Sequence, residues 1–280
     1  MTKKQLLGIA LFLAIGALSI GLNLHVKKQR PLISDEINIV AQSIKKTDLL
    51  KSTTDMTTEE LSEYYLRSLL LNSSYTKLLI QNGERLGLIK EKRLQDKKQL
   101  SSLIVFTNNQ LFRLGLLRLN DPDLREYYLL QREILHHVPT KDCAHFITTP
   151  ISPSVVSKIL LSLGQEKLTA FMNLQHKAII AELDDYPPKI LFSDSEKEII
   201  HTRLHNEMLV YLTEQTGKNE REQVLSFLNA PKAVSEDVAC KATRIMANAM
   251  LDARDPEFLR LDAINSTLSQ FSTSTDITTP

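Results

Sequence analysis

Apolar residues recur every three or four positions along most of this chain, which is the spacing of one face of an α-helix. The pattern is clearest in three groups: Leu61, Tyr65 and Leu69; Leu124, Tyr128, Ile134 and Leu135; Ile200, Leu204, Met208, Tyr211 and Leu212. The β-branched run 102–107 lies between helix-favouring stretches at 90–100 and 110–119, so we predict one long or bent helix through it. The pattern predicts an all-α protein of about nine or ten helices, as a multi-helix array or a solenoid-like bundle.

Capping residues mark where these helices begin. Three capping residues precede a proline: Asp121, Ser152 and Asp255. Proline is tolerated at the first helical position because the N–H that it lacks would be unpaired there. Two more, Thr57 and Ser193, have a glutamate three positions later, which is the spacing of a capping box. Ser235 precedes two acidic residues that favour the positive end of the helix dipole. We predict a helix start at each of these six positions.

Two segments interrupt the helical pattern. The stretch 81–87 is typical of a turn between antiparallel helices, and Tyr186-Pro187-Pro188 requires extended chain between the helices on either side. We therefore predict one helical region over 31–186 and a second, packed on it, over 187–271. The last residues, 272–280, have too few apolar side chains to fold and are predicted to be a disordered tail.

The first thirty residues have the pattern of a membrane-targeting segment. Two lysines precede an almost entirely apolar core, Leu6–Leu24, and basic residues follow it. As a helix this core would be about 28 Å long, close to the thickness of the hydrocarbon layer of a bilayer. We predict a membrane anchor over 1–30 that contacts lipid through 6–24. Cleavage after Ala17-Leu18-Ser19 is the alternative.

The short tail before the apolar core is typical of a secretory signal, whose N-terminus stays in the cytoplasm. We therefore expect a single-pass protein of a bacterial inner membrane with residues 31–280 in the periplasm. A cleaved, exported protein is one alternative, and a reversed topology with a cytoplasmic domain is another, since basic residues flank the core on both sides.

Composition excludes several function classes. The chain has 34 basic and 33 acidic residues, so we expect no nucleic-acid partner. It has only eight glycines and lacks the glycine-rich fingerprints of Rossmann, P-loop and α/β-hydrolase proteins. We expect no cofactor. No catalytic motif of high specificity is present, so we do not expect an enzyme.

The two cysteines, Cys143 and Cys240, allow two interpretations. In an oxidising compartment they form a disulfide, whereas in a reducing one they remain buried thiols. Sequence alone leaves both open. Cys143 also lies near His145, but a cysteine nucleophile needs an oxyanion donor and an orienting group, and the sequence identifies neither.

A short motif occurs twice: Leu61-Ser-Glu-Tyr-Tyr-Leu66 and Leu124-Arg-Glu-Tyr-Tyr-Leu129. Each copy opens a predicted helix, as in two related helical hairpins or by chance. We expect the tyrosine rings to pack into the core with their hydroxyls at its edge. The functional interpretation is a groove for a partner protein, formed by Tyr64, Tyr65, Tyr127 and Tyr128.

His201 and His205 are four positions apart on one predicted helix, so their imidazoles share a face at the spacing of two metal ligands. Thr202 stands where a zinc protease motif has its catalytic glutamate, and no third ligand is marked. The sequence therefore favours a membrane-anchored helical protein that acts by contact with an envelope or secreted protein, as an assembly factor, chaperone or scaffold. The alternative is a metal-binding protein or metal-dependent hydrolase that uses these two histidines.

Overall fold

A computed structural model of the protein describes residues 33–43, 56–90, 93–94, 99–144, 153–230 and 233–273. The predicted anchor and most of the predicted tail lie outside the described residues. None of the described helices has the length and apolar content needed to cross a membrane.

The described residues are 82% helical, in twelve helices and one short hairpin, which confirms the all-α class. The elements are α1 (Ile33–Ser43), α2 (Thr58–Leu71), α3 (Ser73–Arg85), β1 (Ile89–Lys90), β2 (Arg93–Leu94), α4 (Gln99–Leu116), α5 (Asp121–His137), α6 (Thr140–Ala144), α7 (Pro153–Leu163), α8 (Gln165–Leu183), α9 (Asp194–Glu214), α10 (Lys218–Asn229), α11 (Glu236–Asp252) and α12 (Pro256–Thr273). The last helix continues two residues into the predicted tail.

Both predicted capping boxes are present. At α2, the Thr57 N–H donates to Glu60 Oε2 at 2.8 Å and the Glu60 N–H donates to Thr57 Oγ1 at 3.2 Å. Ser193 and Glu196 make the same reciprocal pair at α9, at 2.7 and 3.3 Å. Ser235 caps α11 as predicted. These side chains satisfy backbone donors that have no partner within their own helix.

The start of α5 differs from the prediction by one residue. Asn120, not Asp121, is the N-cap, and its Oδ1 accepts from the Asp123 N–H at 2.9 Å. The Asp121 carboxylate instead accepts from Arg260 Nη2 at 2.7 Å. Proline is therefore the second helical residue rather than the first. The sequence could not identify Arg260 as the competing partner, because it lies 139 positions away.

The long helix predicted from residue 90 is wrong at its start. Ile89 pairs with Leu94, and Lys90 with Arg93, in an antiparallel hairpin, so α4 begins only at Gln99. The predicted turn over 81–87 is also shorter, since α3 continues to Arg85. Gly87 ends the helix with a left-handed backbone (φ 68°), which turns the chain so that Ile89 becomes buried.

The described residues form two compact units. The first unit comprises the described residues between 33 and 112 together with residues 160–184. In it, α1 packs against α2 and α3, and α2 packs against α3 and α8. The α3–α4 pair carries buried polar contacts: the Tyr75 hydroxyl donates to Asn108 Oδ1 at 2.8 Å, and Asn82 Nδ2 donates to Thr107 Oγ1 at 3.1 Å. These contacts satisfy groups that would be costly to bury alone.

The second unit comprises the described residues between 113 and 159 and between 185 and 273 and is built around α11. This helix packs against α5, α6, α9, α10 and α12. Its buried alanines, Ala239, Ala242 and Ala249, have short side chains, which leave room for neighbouring helices at close range. Two of them join Leu212, Val224 and Phe227 in one apolar cluster. The core of this unit therefore depends on small residues at the centre and larger ones around it.

In the second unit, arginine side chains donate hydrogen bonds to carbonyls at the ends of helices. Arg244 of α11 donates to the Leu135 and Val138 carbonyls at 3.1 and 3.0 Å, where α5 ends. Arg125 of α5 donates to the Leu251 carbonyl at 3.1 Å, where α11 ends. The last carbonyls of a helix have no partner within it and attract cations through the helix dipole. Each of these two helices thus caps the other.

Cys143 and Cys240 are bonded to each other as a disulfide that joins α6 to α11, with their Cα atoms 5.0 Å apart. Both residues are buried. The helix α6 has only five residues and packs on α11. So short a helix is marginal alone, and its position therefore depends on this packing and on the covalent link.

We predict that replacing both cysteines with alanine lowers the free energy of unfolding by about 2 to 5 kcal/mol, since the bond closes a long loop in the unfolded chain. Urea denaturation with and without reductant measures the loss. Reductant should shift the wild-type midpoint and leave the double-alanine variant unchanged. Equal midpoints for oxidised and reduced wild type would contradict the prediction.

We also predict that Gly83→Ala destabilises the protein by about 1 to 2 kcal/mol, because overpacking outweighs the gain in helix propensity. An added Cβ would lie 2.3 Å from Ile89 Cδ1 and 2.9 Å from Leu103 Cδ2. Gly217→Ala controls for the clash alone, since a Cβ there meets nothing within 4 Å; because Gly217 is the N-cap of α10, where glycine is preferred to alanine, a smaller loss is expected there. Thermal unfolding compares the two, and an unchanged midpoint for Gly83→Ala would show that α3 does not need the glycine.

Candidate functional site

The segment between α8 and α9 carries the most exposed large apolar side chain that the structure describes. Residues 184–193 are not helical, in agreement with the break predicted at Tyr186-Pro187-Pro188. Tyr186 is 73% exposed, Leu191 58% and Ile190 43%. We call residues 185–191 the apolar loop. It belongs to the second unit.

The backbone of the apolar loop is fixed from behind. Arg118, which is buried, donates from Nη1 to the Pro187 carbonyl at 2.7 Å and from Nη2 to the Asp185 carboxylate. The Ile190 N–H donates to the Leu117 carbonyl at 2.9 Å. Two adjacent residues just after α4 thus hold both halves of the loop, while the apolar side chains remain in solvent.

Asp185 adopts a left-handed backbone with φ 52°, which is uncommon for a residue other than glycine. Aspartate tolerates this conformation better than most residues. Its pairing with Arg118 compensates the local backbone cost and supplies a carboxylate to a buried guanidinium that needs one. The Tyr186 side chain is therefore presented from a fixed position.

Exposed carboxylates follow the loop at the start of α9. The Asp194 side chain is fully exposed, and the hydrogen bond from Lys197 (2.9 Å) lowers the pKa of its carboxyl. The hydrogen bond from the Ser193 hydroxyl likewise lowers the pKa of Glu196. Both groups are therefore ionised at neutral pH, next to the apolar side chains.

The four tyrosines of the predicted groove lie in different units: Tyr64 and Tyr65 on α2 in the first, Tyr127 and Tyr128 on α5 in the second. The Tyr65 ring stacks on His176 with centroids 4.0 Å apart. Burial raises the pKa of the Tyr65 hydroxyl to about 12. The Tyr128 hydroxyl donates to Asp262 Oδ2 at 2.7 Å. Both rings are buried, and the partner groove stays a prediction.

Sequence reasoning missed a serine and a histidine that meet in the first unit. Ser68 Oγ lies 2.9 Å from His176 Nε2 and also donates to the Tyr65 carbonyl. Burial lowers the pKa of His176 to about 4. A general base works best with a pKa near the working pH, so this imidazole is a weak base for activating Ser68. The pair instead joins α2 to α8.

The two histidines predicted as metal ligands, His201 and His205, are exposed on α9, one turn apart. Among the residues the structure describes, no three His, Cys, Asp or Glu side chains come together as a metal site. Metal binding by these histidines stays a prediction. Cys143 is occupied by its disulfide, and His145 lies outside the described residues.

A shallow cavity of about 310 Å³ in the second unit is lined by Arg203, Asn206, Glu207, Ala253, Asp255 and Phe258. Arg203 donates to Asp255 and, at 2.8 Å, to Glu257, and its guanidinium lies 5.5 Å from the centre of the Phe258 ring. Two carboxylates already neutralise this cation. The cavity therefore offers little to an anionic ligand.

Comparison with known protein families, with curated proteins and with solved structures finds no match to this chain. The chemistry of its own side chains is what bears on function. Of the features described above, the apolar loop combines exposed apolar side chains with a fixed backbone. An anchor residue at a protein interface has the same properties.

We predict that the protein loses stability as the pH falls from 7 towards 4, in part through His176. Its pKa is about 4 in the folded state and ordinarily about 6.5 when unfolded, so the unfolded chain binds the proton more readily across that window. By pH 4.5, His176 alone should lower the free energy of unfolding by about 2 kcal/mol.

His176→Gln keeps an amide near Ser68 but cannot titrate, so its stability should fall less over the same pH range. Urea denaturation of both proteins at several pH values gives the difference. An NMR titration that places the folded His176 pKa near 6.5 would contradict this prediction.

Proposed function

We propose that this chain is a membrane-anchored, extracytoplasmic helical protein that acts by contact with another protein, as an assembly factor, chaperone or scaffold of the cell envelope or of secretion. The observation that carries the proposal is the apolar loop, with Tyr186 73% exposed over a backbone held by the buried Arg118. The partner is a protein of the envelope or a secreted protein.

An exposed tyrosine followed by two prolines, a lysine and two aliphatic residues is suited to this role. Tyrosine is enriched among the residues that dominate binding energy at interfaces. Binding usually costs free energy because loops and side chains must become ordered. Here Arg118 and the Leu117 carbonyl already hold the loop backbone, so less of that cost remains when a partner binds.

The disulfide supports the proposed compartment. The chain has two cysteines, and both are in the Cys143–Cys240 bond. Structural disulfides persist in oxidising compartments such as the periplasm and are rare in the cytosol. The leader over 1–30 is proposed to be the anchor that places the helical region there, in a bacterial inner membrane.

Labelling the thiols in intact cells tests the compartment. In the periplasm, a maleimide should label the denatured protein only after reduction. The variant with both cysteines replaced by alanine should not be labelled in either case, which controls for labelling at other residues. Full labelling without reductant would place the two cysteines in a reducing compartment and would overturn this part of the proposal.

Site-specific photocrosslinking tests the contact. With a photoreactive residue in place of Ile190 in the full-length chain, we expect a discrete protein adduct in cells. The same residue in place of Leu71, which is 60% exposed on α2, is the control and should give no such adduct.

Tyr186→Ser together with Leu191→Ser should abolish the adduct at position 190 and change the unfolding free energy by less than about 0.5 kcal/mol per site, because both side chains are exposed. Leu71→Ser is the matched change in the first unit and should leave the adduct intact. If the folded protein with the photoreactive residue at position 190 and no other change crosslinks to no protein, the proposed function is overturned.

A further inference from the structure

In two ion pairs around the apolar loop, the acidic side chain is exposed and the basic side chain is largely buried. The carboxylate side chains of Asp185 and Asp194 are 88% and 100% exposed. The cations that pair with them are withdrawn: the Arg118 side chain is 5% exposed and the Lys197 side chain 26%. A partner that approaches the loop therefore meets the acid of each ion pair rather than the base.

Exposed carboxylates continue along the first two turns of α9. Glu196 and Glu198 are exposed carboxylates, and Ile199 beside them is 57% exposed. Residues 185–199 thus carry four exposed carboxylates, at 185, 194, 196 and 198, against two lysines, Lys189 and Lys197, that are both partly buried. The segment combines apolar anchors with an acidic border.

We infer that the apolar loop docks into an apolar groove of a partner protein whose rim carries lysine and arginine side chains. This inference rests on the proposed function and adds the chemistry of the partner. The groove accepts Tyr186, Ile190 and Leu191, while the basic rim faces Asp194 and Glu198, which are four residues apart on one face of α9. Charges of opposite sign at the rim speed association and fix the orientation of the two proteins.

The acidic border also distinguishes a protein partner from a lipid surface. Exposed apolar side chains insert into bilayers, but bacterial and cytoplasmic-face membranes that bind proteins electrostatically do so through anionic headgroups and attract lysine and arginine. The exposed carboxylates of Asp194 and Glu198 next to the loop oppose such binding. A groove with a basic rim satisfies both the apolar residues and the carboxylates.

A charge swap tests the inference in the full-length protein, with the photoreactive residue at position 190. In Asp194→Lys with Glu198→Lys, we expect the yield of the protein adduct to fall at least about fivefold, since like charges now meet at the rim. Asp194→Asn with Glu198→Gln should give an intermediate yield. Glu196 is left in place because it belongs to the capping box of α9.

The matched control is Glu214→Lys with Glu222→Lys, which makes the same change in net charge at exposed positions elsewhere in the second unit. Its adduct yield should equal that of wild type. Thermal unfolding of each variant shows whether the charge swap acts through loss of fold, and a melting temperature within a few degrees of wild type assigns the effect to binding.

Mass spectrometry of the wild-type adduct then locates the crosslinked segment of the partner, which should carry apolar residues bordered by Lys or Arg. An equal adduct yield in the charge-swap variant, or a crosslinked segment bordered by acidic residues, would overturn the basic rim and leave the proposed contact standing. A lipid adduct in place of a protein adduct would overturn both.

Discussion

Every helix leaves its last carbonyls without a partner inside the helix, and in the second unit arginine side chains supply many of the missing donors. Arg244 serves the end of α5, Arg125 the end of α11, and Arg260 the Leu116 carbonyl at the end of α4. A guanidinium has five donors in a planar fork, so one side chain can serve a carbonyl and a carboxylate together. The helices are thus positioned by polar contacts at their ends as well as by apolar contacts along their sides.

Arg118 applies the same principle to a surface loop. Its buried guanidinium needs acceptors, and it finds them in the Pro187 carbonyl and the Asp185 carboxylate. Loops are ordinarily more mobile than the elements they connect. Here the requirement of a buried cation determines the path of the backbone. The exposure of Tyr186 is therefore a consequence of how Arg118 is satisfied.

Local signals predicted much of this fold, because caps and periodicity act within four residues. Thr57, Ser193 and Ser235 cap helices as expected from their neighbours alone. The prediction failed where distant residues decide the outcome: Arg260 takes Asp121 away from the cap, and burial of Ile89 replaces a helix with a hairpin. The break in the helical pattern at Tyr186 was predictable from the sequence. The exposure of the Tyr186 side chain was not, because the loop backbone is held by Arg118, which lies 69 positions from Pro187. The Ser68–His176 contact was missed for the same reason.

The bond between Cys143 and Cys240 makes a covalent ring of the chain between them, which includes α7 to α10 and the apolar loop. A protease that cuts any peptide bond inside this ring leaves the two fragments attached, and only a reductant separates them. A cut before Cys143 or after Cys240 instead releases a free piece. After such a cut, both ends of the chain and the apolar loop would therefore stay in one covalently linked molecule.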